Sequence, residues 1–136
     1  MPILARTCGL AVFLAALVLV FAGVASADPP VPTLSRGWMF SEQSGEALYA
    51  NACQACHMSN AEGAVGAGRY PALARNANLA TSGYVVDVVL HGYKAMPPIG
   101  KLMTDEQVAA VINYVRTHFG NSYADTVSAS DVKDVR

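Results

Sequence analysis

Residues 53–57 read Cys53-Gln54-Ala55-Cys56-His57, two thiols separated by two residues with an imidazole directly after the second. This segment limits what the chain can fold into more than any other. It is the spacing that covalent haem attachment requires: each sulfur adds to one vinyl group of the porphyrin, and the next side chain is held beneath the iron as its proximal ligand. A chain tethered in this way has to build its core around one flat apolar group. The other readings of two neighbouring thiols fit less well. A zinc site needs two further ligands at matching spacing, and the only other histidines are His91 and His118, with no second Cys pair. A thioredoxin-like dithiol belongs in a βαβ pattern, whereas here the pair closes an apparent helix. A plain disulfide leaves His57 unexplained. The reading is therefore one haem c, bound through Cys53 and Cys56, with His57 on the iron.

The N-terminal segment agrees with this chemistry. Arg6 supplies a positive start, Leu10 to Val24 is almost entirely apolar, and Ala25-Ser26-Ala27 is a small-residue cleavage site. Residues 1–27 are expected to be a signal peptide, with Asp28 first after cleavage. An uncleaved anchor fits less well, because the apolar run is shorter than the ~20 residues of a spanning helix. Cys8 lies before the run and leaves with it. Cys53 and Cys56 are then the only thiols in an oxidising compartment, where thioether bonds protect them; the periplasm is the implied location. The 109 residues beyond position 27 carry 8 basic and 10 acidic side chains, a net charge of −2. No basic stripe suggests nucleic acid.

The domain reading is a Pro-rich extended leader over 28–40, a haem domain over 41–120 and a polar tail over 121–136. Trp38 and Phe40 either anchor the leader by packing or mark a docking point, packing being the preferred role. The first helix is expected over 41–53, with Ser41 or Ser44 as N-cap. Gly45 and Tyr49 share one face, and Glu42 and Glu46 suit the positive end of the helix dipole. Residues 60–69 form a Gly-rich loop without the following Lys-Ser/Thr of a phosphate loop, expected to wrap the haem edge. A ligating histidine needs a partner for its other ring nitrogen, and the Pro71 carbonyl is assigned to Nδ1 of His57. A second helix is expected over 82–92, burying Tyr84, Val85, Val88 and Val89 and stopped by Gly92. The third, over 104–119, starts at a capping box formed by Thr104 and Gln107. It carries the stripe Val108, Val111, Ile112, Val115 and Phe119 with Tyr114 beside it, and Arg116 and His118 suit its negative end. Ser130 is a candidate cap for a last short turn, and no strand pattern is evident.

The second iron ligand decides the function, because an open iron site binds small molecules whereas a doubly ligated one transfers electrons. Met58 is next to His57 and cannot reach the opposite face; Met39 lies in the leader; Met103 precedes a helix cap and is expected to pack; His118 ends a helix. Met96 sits in a loop that Pro97 and Pro98 stiffen, so a thioether there loses little entropy when it binds. Met96 is preferred and His91 is the rival. A neutral thioether favours ferrous iron and a higher potential.

With these residues in place the chain resembles class I cytochromes c. The similarity rests on Gly45 and Tyr49 before the attachment segment, Tyr70-Pro71-Ala72-Leu73, Met96-Pro97-Pro98, and Val111 with Tyr114. It implies an all-α, cytochrome c-like fold of three to four helices around one covalently bound haem, with the first and last helices crossing at Gly45/Tyr49 and Val111/Tyr114. It also implies His57 and Met96 as axial ligands. More narrowly, residues 92–121 and 127–136 are similar to haem subunits serving periplasmic alcohol, aldehyde and sugar-acid dehydrogenases. Two departures are visible: Met58 stands where many relatives have Gly, and the lysine-rich face of mitochondrial cytochromes is absent. The implied function is one-electron transfer rather than catalysis, from a dehydrogenase donor towards an oxidase or cytochrome acceptor, with peripheral membrane association through a complex as a further expectation. The competing function is a haem enzyme or gas sensor with an open iron site. A locally basic docking rim is expected from Arg69, Arg75, Lys94 and Lys101 in loops, with Glu42, Glu46, Asp87, Asp105 and Glu106 on helices.

Overall fold

The computed structural model describes residues 38–136; the expected signal segment and leader residues 28–37 lie outside them. Helix α1 occupies residues 45–57 as an α-turn Gly45–Leu48, a π-helical turn Tyr49–Cys53 and a second α-turn Gln54–His57. Of the two candidate caps Ser44 is the one used: its side chain accepts from the Ala47 N–H. The helix thus begins four residues later than expected and runs on through the attachment segment to His57. The π-turn is set by the Gln54 N–H donating to the Tyr49 carbonyl. Its extra residue changes the helical phase, so the Gly45 face and the Cys53–His57 face are offset from those of an uninterrupted α-helix.

Beyond α1 a small antiparallel hairpin pairs β1 (Ala64–Val65) with β2 (Arg69–Tyr70). The sequence does not announce it, because two-residue strands are too short to show alternation. A 3₁₀ turn, Ala77–Ala80, leads into α2, Ser82–His91. The buried side of α2 is Val85, Val86 and Leu90, with Val88 and Val89 half-buried and Tyr84 46% exposed. The buried stripe is therefore displaced by one position from the expected one, since two valine pairs on either side of Asp87 do not specify which valines face inward. A second 3₁₀ turn, Ile99–Leu102, precedes α3, Asp105–Thr117. Its capping box is present, with Thr104 Oγ1 accepting from the Gln107 N–H and Gln107 Oε1 accepting from the Thr104 N–H.

Helix α3 is the centre of the fold, touching α1, α2 and the last helix, α4 (Ala129–Val135). Val108, Val111, Ile112 and Val115 are buried as expected; Phe119 lies beyond the helix end and is half-buried. Helices α1 and α3 cross where Gly45 meets Ala110 and Tyr114: a Cβ on Gly45 would fall 2.3 Å from the Ala110 carbonyl oxygen and 2.6 Å from Tyr114 Cβ. Next to this crossing the Tyr49 and Tyr114 rings lie 5.9 Å apart, and the Tyr49 and Phe119 rings 4.8 Å apart.

Three features differ from the sequence expectations. Phe40 is half-buried against the core and donates its N–H to the Leu102 carbonyl, but Trp38 is 90% exposed and anchors nothing among the described residues. Arg116 is fully buried rather than spread over a helix end. Its guanidinium donates to the Leu79, Ala80 and Asp125 carbonyls and to the Asp125 carboxylate. Residues 121–136 are a packed segment, with Val127 and Val132 buried, the Asn113 amide bonded to both backbone groups of Val127, and Ser128, not Ser130, capping α4 with Asp131. Two buried valines five residues apart are too sparse to read as a helical stripe.

Candidate functional site

Cys53 and Cys56 lie one turn apart near the end of α1, both partly exposed and both without a disulfide. His57 closes the helix and is 8% exposed. Its Nδ1 lies 2.9 Å from the Pro71 carbonyl oxygen. A carbonyl only accepts, so Nδ1 carries the proton and Nε2 keeps its lone pair. Nε2 has no hydrogen-bond partner among the described residues. The ring is thus held by one nitrogen and presents the other, the arrangement a metal-ligating imidazole needs.

The backbone that brings Pro71 to this ring is a short closed frame. The His57 carbonyl accepts from the Gly63 N–H at 3.1 Å, and the Met58 carbonyl accepts from the Ala61 N–H at 3.1 Å and from the Tyr49 hydroxyl at 2.7 Å. Ala61, fully buried, gives its carbonyl to the Leu73 and Ala74 N–H groups at 2.8 and 2.9 Å. Gly63 is in the left-handed region at φ +66°, and a Cβ there would sit 2.2 Å from the Tyr70 oxygen and 2.8 Å from the Pro71 carbonyl carbon. Only glycine lets the two strands of this frame come so close. Asn121, also buried, locks the frame from outside: its Nδ2 donates to the Leu73 and Val115 carbonyls, and its Oδ1 accepts from the Asn76 N–H. Neither Ala61 nor Asn121 carries a sequence signal; of this frame only the Gly-rich loop and the Pro71 carbonyl were expected from the sequence.

Met96 lies apart from this group, in a tight turn after α2. Its N–H and carbonyl both pair with Tyr93, at 3.0 and 3.1 Å, and its side chain is half-buried. Pro97 and Pro98 then lead into the Ile99–Leu102 turn. Among the other candidates, Met103 is 2% exposed in the core, as expected of a packing residue. His91 has Nδ1 2.9 Å from Asp87 Oδ1, its side chain 46% exposed. His118 stacks on Tyr114 and is exposed. An open groove lined by Glu62, Arg69, Tyr70, Arg75 and their neighbours includes none of Cys53, Cys56, His57 or Met96; it is a surface feature of the hairpin.

The surroundings of the two cysteines do not favour the dithiol or zinc alternatives. Burial, with Cys56 adding to it, pushes the Cys53 thiol up to about 12. A redox-active dithiol requires the opposite shift. Among the described residues no three His, Cys, Asp or Glu side chains are grouped to hold a metal ion. Two sulfurs one turn apart, followed by a buried imidazole with one free nitrogen, fit thioether attachment of a haem with His57 towards its iron.

Comparison with known proteins gives the same direction. The family model described as cytochrome c oxidase, cbb3-type, subunit III, matches residues 41–115. The chain is similar to the fructose dehydrogenase cytochrome subunit of Gluconobacter japonicus, 38% identical over 107 residues, which cover 68% of this chain and 22% of the relative. It is similar to the alcohol dehydrogenase (quinone) cytochrome c subunit of Gluconacetobacter polyoxogenes, 30% identical over 122 residues, 80% of this chain and 26% of that one. It also resembles the gluconate 2-dehydrogenase cytochrome c subunit of Pantoea cypripedii, 32% identical over 112 residues, 69% and 24%. The chain therefore spans about a quarter of the length of these curated relatives.

Proposed function

Because the chain belongs to the cytochrome c family matched over residues 41–115, and carries a c-type haem bound through Cys53 and Cys56, we propose that it is a one-electron carrier in which His57 and Met96 hold the iron from opposite faces. When bound, the haem supplies a reversible ferric/ferrous couple. The observation that carries the proposal is the 2.9 Å contact between His57 Nδ1 and the Pro71 carbonyl. It fixes the tautomer, turns Nε2 outward, and makes the imidazole a better donor through its hydrogen bond.

Met96 is the preferred second ligand because its backbone is already immobilised. The Tyr93 pairing and the two prolines leave only side-chain rotamers to lose on binding. His91 is disfavoured because its ring is half in solvent at the end of α2. That exposure also speaks against an open-site enzyme, whose distal acid/base residue should face the iron rather than solvent. Redox partners of the class named for the relatives, dehydrogenases of sugars, alcohols or sugar acids, are the proposed electron donors, with an oxidase or another cytochrome as acceptor. Residues 1–27 support export to the periplasm, and such a complex would bring the protein to a membrane surface.

The test is a pyridine haemochrome assay with a ferric spectrum on the exported protein. One c-type haem, low-spin, with a sulfur-to-iron charge-transfer band is expected. Met96→Ala should abolish that band and lower the midpoint potential by roughly 0.1 V or more, within the wide span that axial ligands control. Met103→Ala should leave the band in place and cost about 2–5 kcal/mol of stability as a core truncation. A band surviving Met96→Ala would rule out Met96 as the ligand.

A further inference from the structure

The residue immediately after His57 holds a backbone conformation that side chains avoid. Met58 has φ 66° and ψ 160°, a region essentially restricted to glycine. Its backbone is fixed from three directions: the N–H donates to the Gln54 carbonyl at 2.8 Å, and the carbonyl accepts from Ala61 N–H at 3.1 Å and Tyr49 hydroxyl at 2.7 Å. None of these bonds involves the Met58 side chain. Glycine would make all three without strain, so the backbone does not account for a methionine here. The side chain is half-buried, apolar and unbranched, and it is attached between the buried His57 ring and the frame that carries Pro71.

We propose that Met58 is a positioning residue for the redox couple: its side chain covers the His57 side of the haem against water and raises the midpoint potential. The ferric state carries one more positive charge than the ferrous, so drying its surroundings favours reduction. Drying also strengthens the His57–Pro71 hydrogen bond, which acts the other way by making the imidazole a stronger donor. That bond joins two neutral groups and is already formed in the structure. The change in solvation acts on a whole charge, and it dominates. The proposal rests on His57 as proximal ligand, and it holds whether or not Met96 is the second one.

Three variants of the haem-loaded protein separate cover from strain. Met58→Gly removes both, Met58→Ala keeps the strained Cβ but removes the cover, and Met58→Leu keeps both. Midpoint potentials should fall together in the Gly and Ala variants and stay at the unsubstituted value in the Leu variant. Thermal midpoints should instead rise in Gly alone. A Gly variant that melts higher at an unchanged potential overturns the proposal and leaves Met58 as tolerated strain; a Leu variant shifted as far as Gly overturns it too. The ferric spectrum of the unsubstituted protein tests the underlying ligand separately. A low-spin spectrum with an unmoved potential removes only the role of Met58. A ferric spectrum unchanged in His57→Ala removes His57 as ligand along with it.

Discussion

Single residues hold the geometry of the attachment site, and Gly63 is the most sensitive of them. An added Cβ would have to displace the Tyr70 and Pro71 backbone, which moves the acceptor of the His57 proton. Gly63→Ala is expected to cost about 2–4 kcal/mol, combining the strain of a left-handed alanine with overpacking against backbone. It should also shift the ferric electron-spin-resonance g-values, as the imidazole loses its fixed orientation. Gly66→Ala is the control, since nothing lies within 4 Å of a Cβ there; equal losses in the two variants would dismiss the argument. The glycines of this loop look alike in the sequence, and what separates them is the backbone that passes nearby. Tyr49 acts at the same scale. Burial first, then Cys53 and Tyr114, pushes its phenol up to about 12, so it stays protonated and keeps donating to the Met58 carbonyl at any ordinary pH.

At the scale of elements, the chain uses two different joints. The α1–α3 crossing is a small-residue contact that the resemblance to class I cytochromes c implied in advance, with Gly45 meeting Tyr114 as expected and Ala110 in place of Val111. The joint of α4 was not legible. It rests on buried Val127 and Val132 and on the segment leading into α4, where the Arg116 guanidinium fills its donors with the Leu79 and Ala80 carbonyls and with Asp125. A hydrogen bond from Arg116 is the main reason that the Asp125 carboxyl lies below its ordinary value of 3.8. Its contribution is complete above 3.8 and is lost as pH falls through the lower folded value. Acid should therefore loosen α4 before the core: amide exchange in residues 129–135 should accelerate below about pH 4, ahead of α3. Asp125→Asn should exchange faster at neutral pH and lose that acid step. Protection of α4 unchanged down to pH 2 would contradict the role given to this pair. Arginine at a helix C-terminus ordinarily reads as a solvated charge, and no local pattern says that unsatisfied carbonyls 36 and 37 residues earlier will claim it.

For the whole molecule, charge distribution governs how partners meet. Arg69, Arg75, Lys94 and Lys101 are all exposed on the hairpin, loops and 3₁₀ turn, and Glu46, Asp87 and Glu106 are exposed on helices. The expected segregation needs one correction: Glu42 precedes α1, is 7% exposed, and accepts from the Ser41 N–H and the Asn51 amide. Arg75 is also drawn towards Glu62, at 3.9 Å. With an acidic redox partner the second-order electron-transfer rate should fall with ionic strength, most steeply up to ~0.1 M, where the Debye length is about 10 Å. The double variant Lys94→Gln, Lys101→Gln should flatten that dependence about twofold or more in slope. A rate in the unsubstituted protein that ignores salt would show these charges to be merely solvated.

What the sequence determined by itself was local and covalent. The spacing of Cys53, Cys56 and His57 dictates haem attachment, and a ligating imidazole requires an acceptor for its second nitrogen. The Thr104–Gln107 pair starts α3, and a repeating stripe says which side is inward. Each of these is written within a few residues, where helical period, capping and bond reach are short-range. Tertiary structure decided the rest: which glycine admits Pro71 to His57, that Met58 sits where a side chain is strained, that Arg116 is buried, and that residues 121–136 pack against the core and end in a helix. These outcomes depend on which backbone groups remain unpaired once distant segments meet, and that is a property of the assembled packing rather than of any stretch of chain.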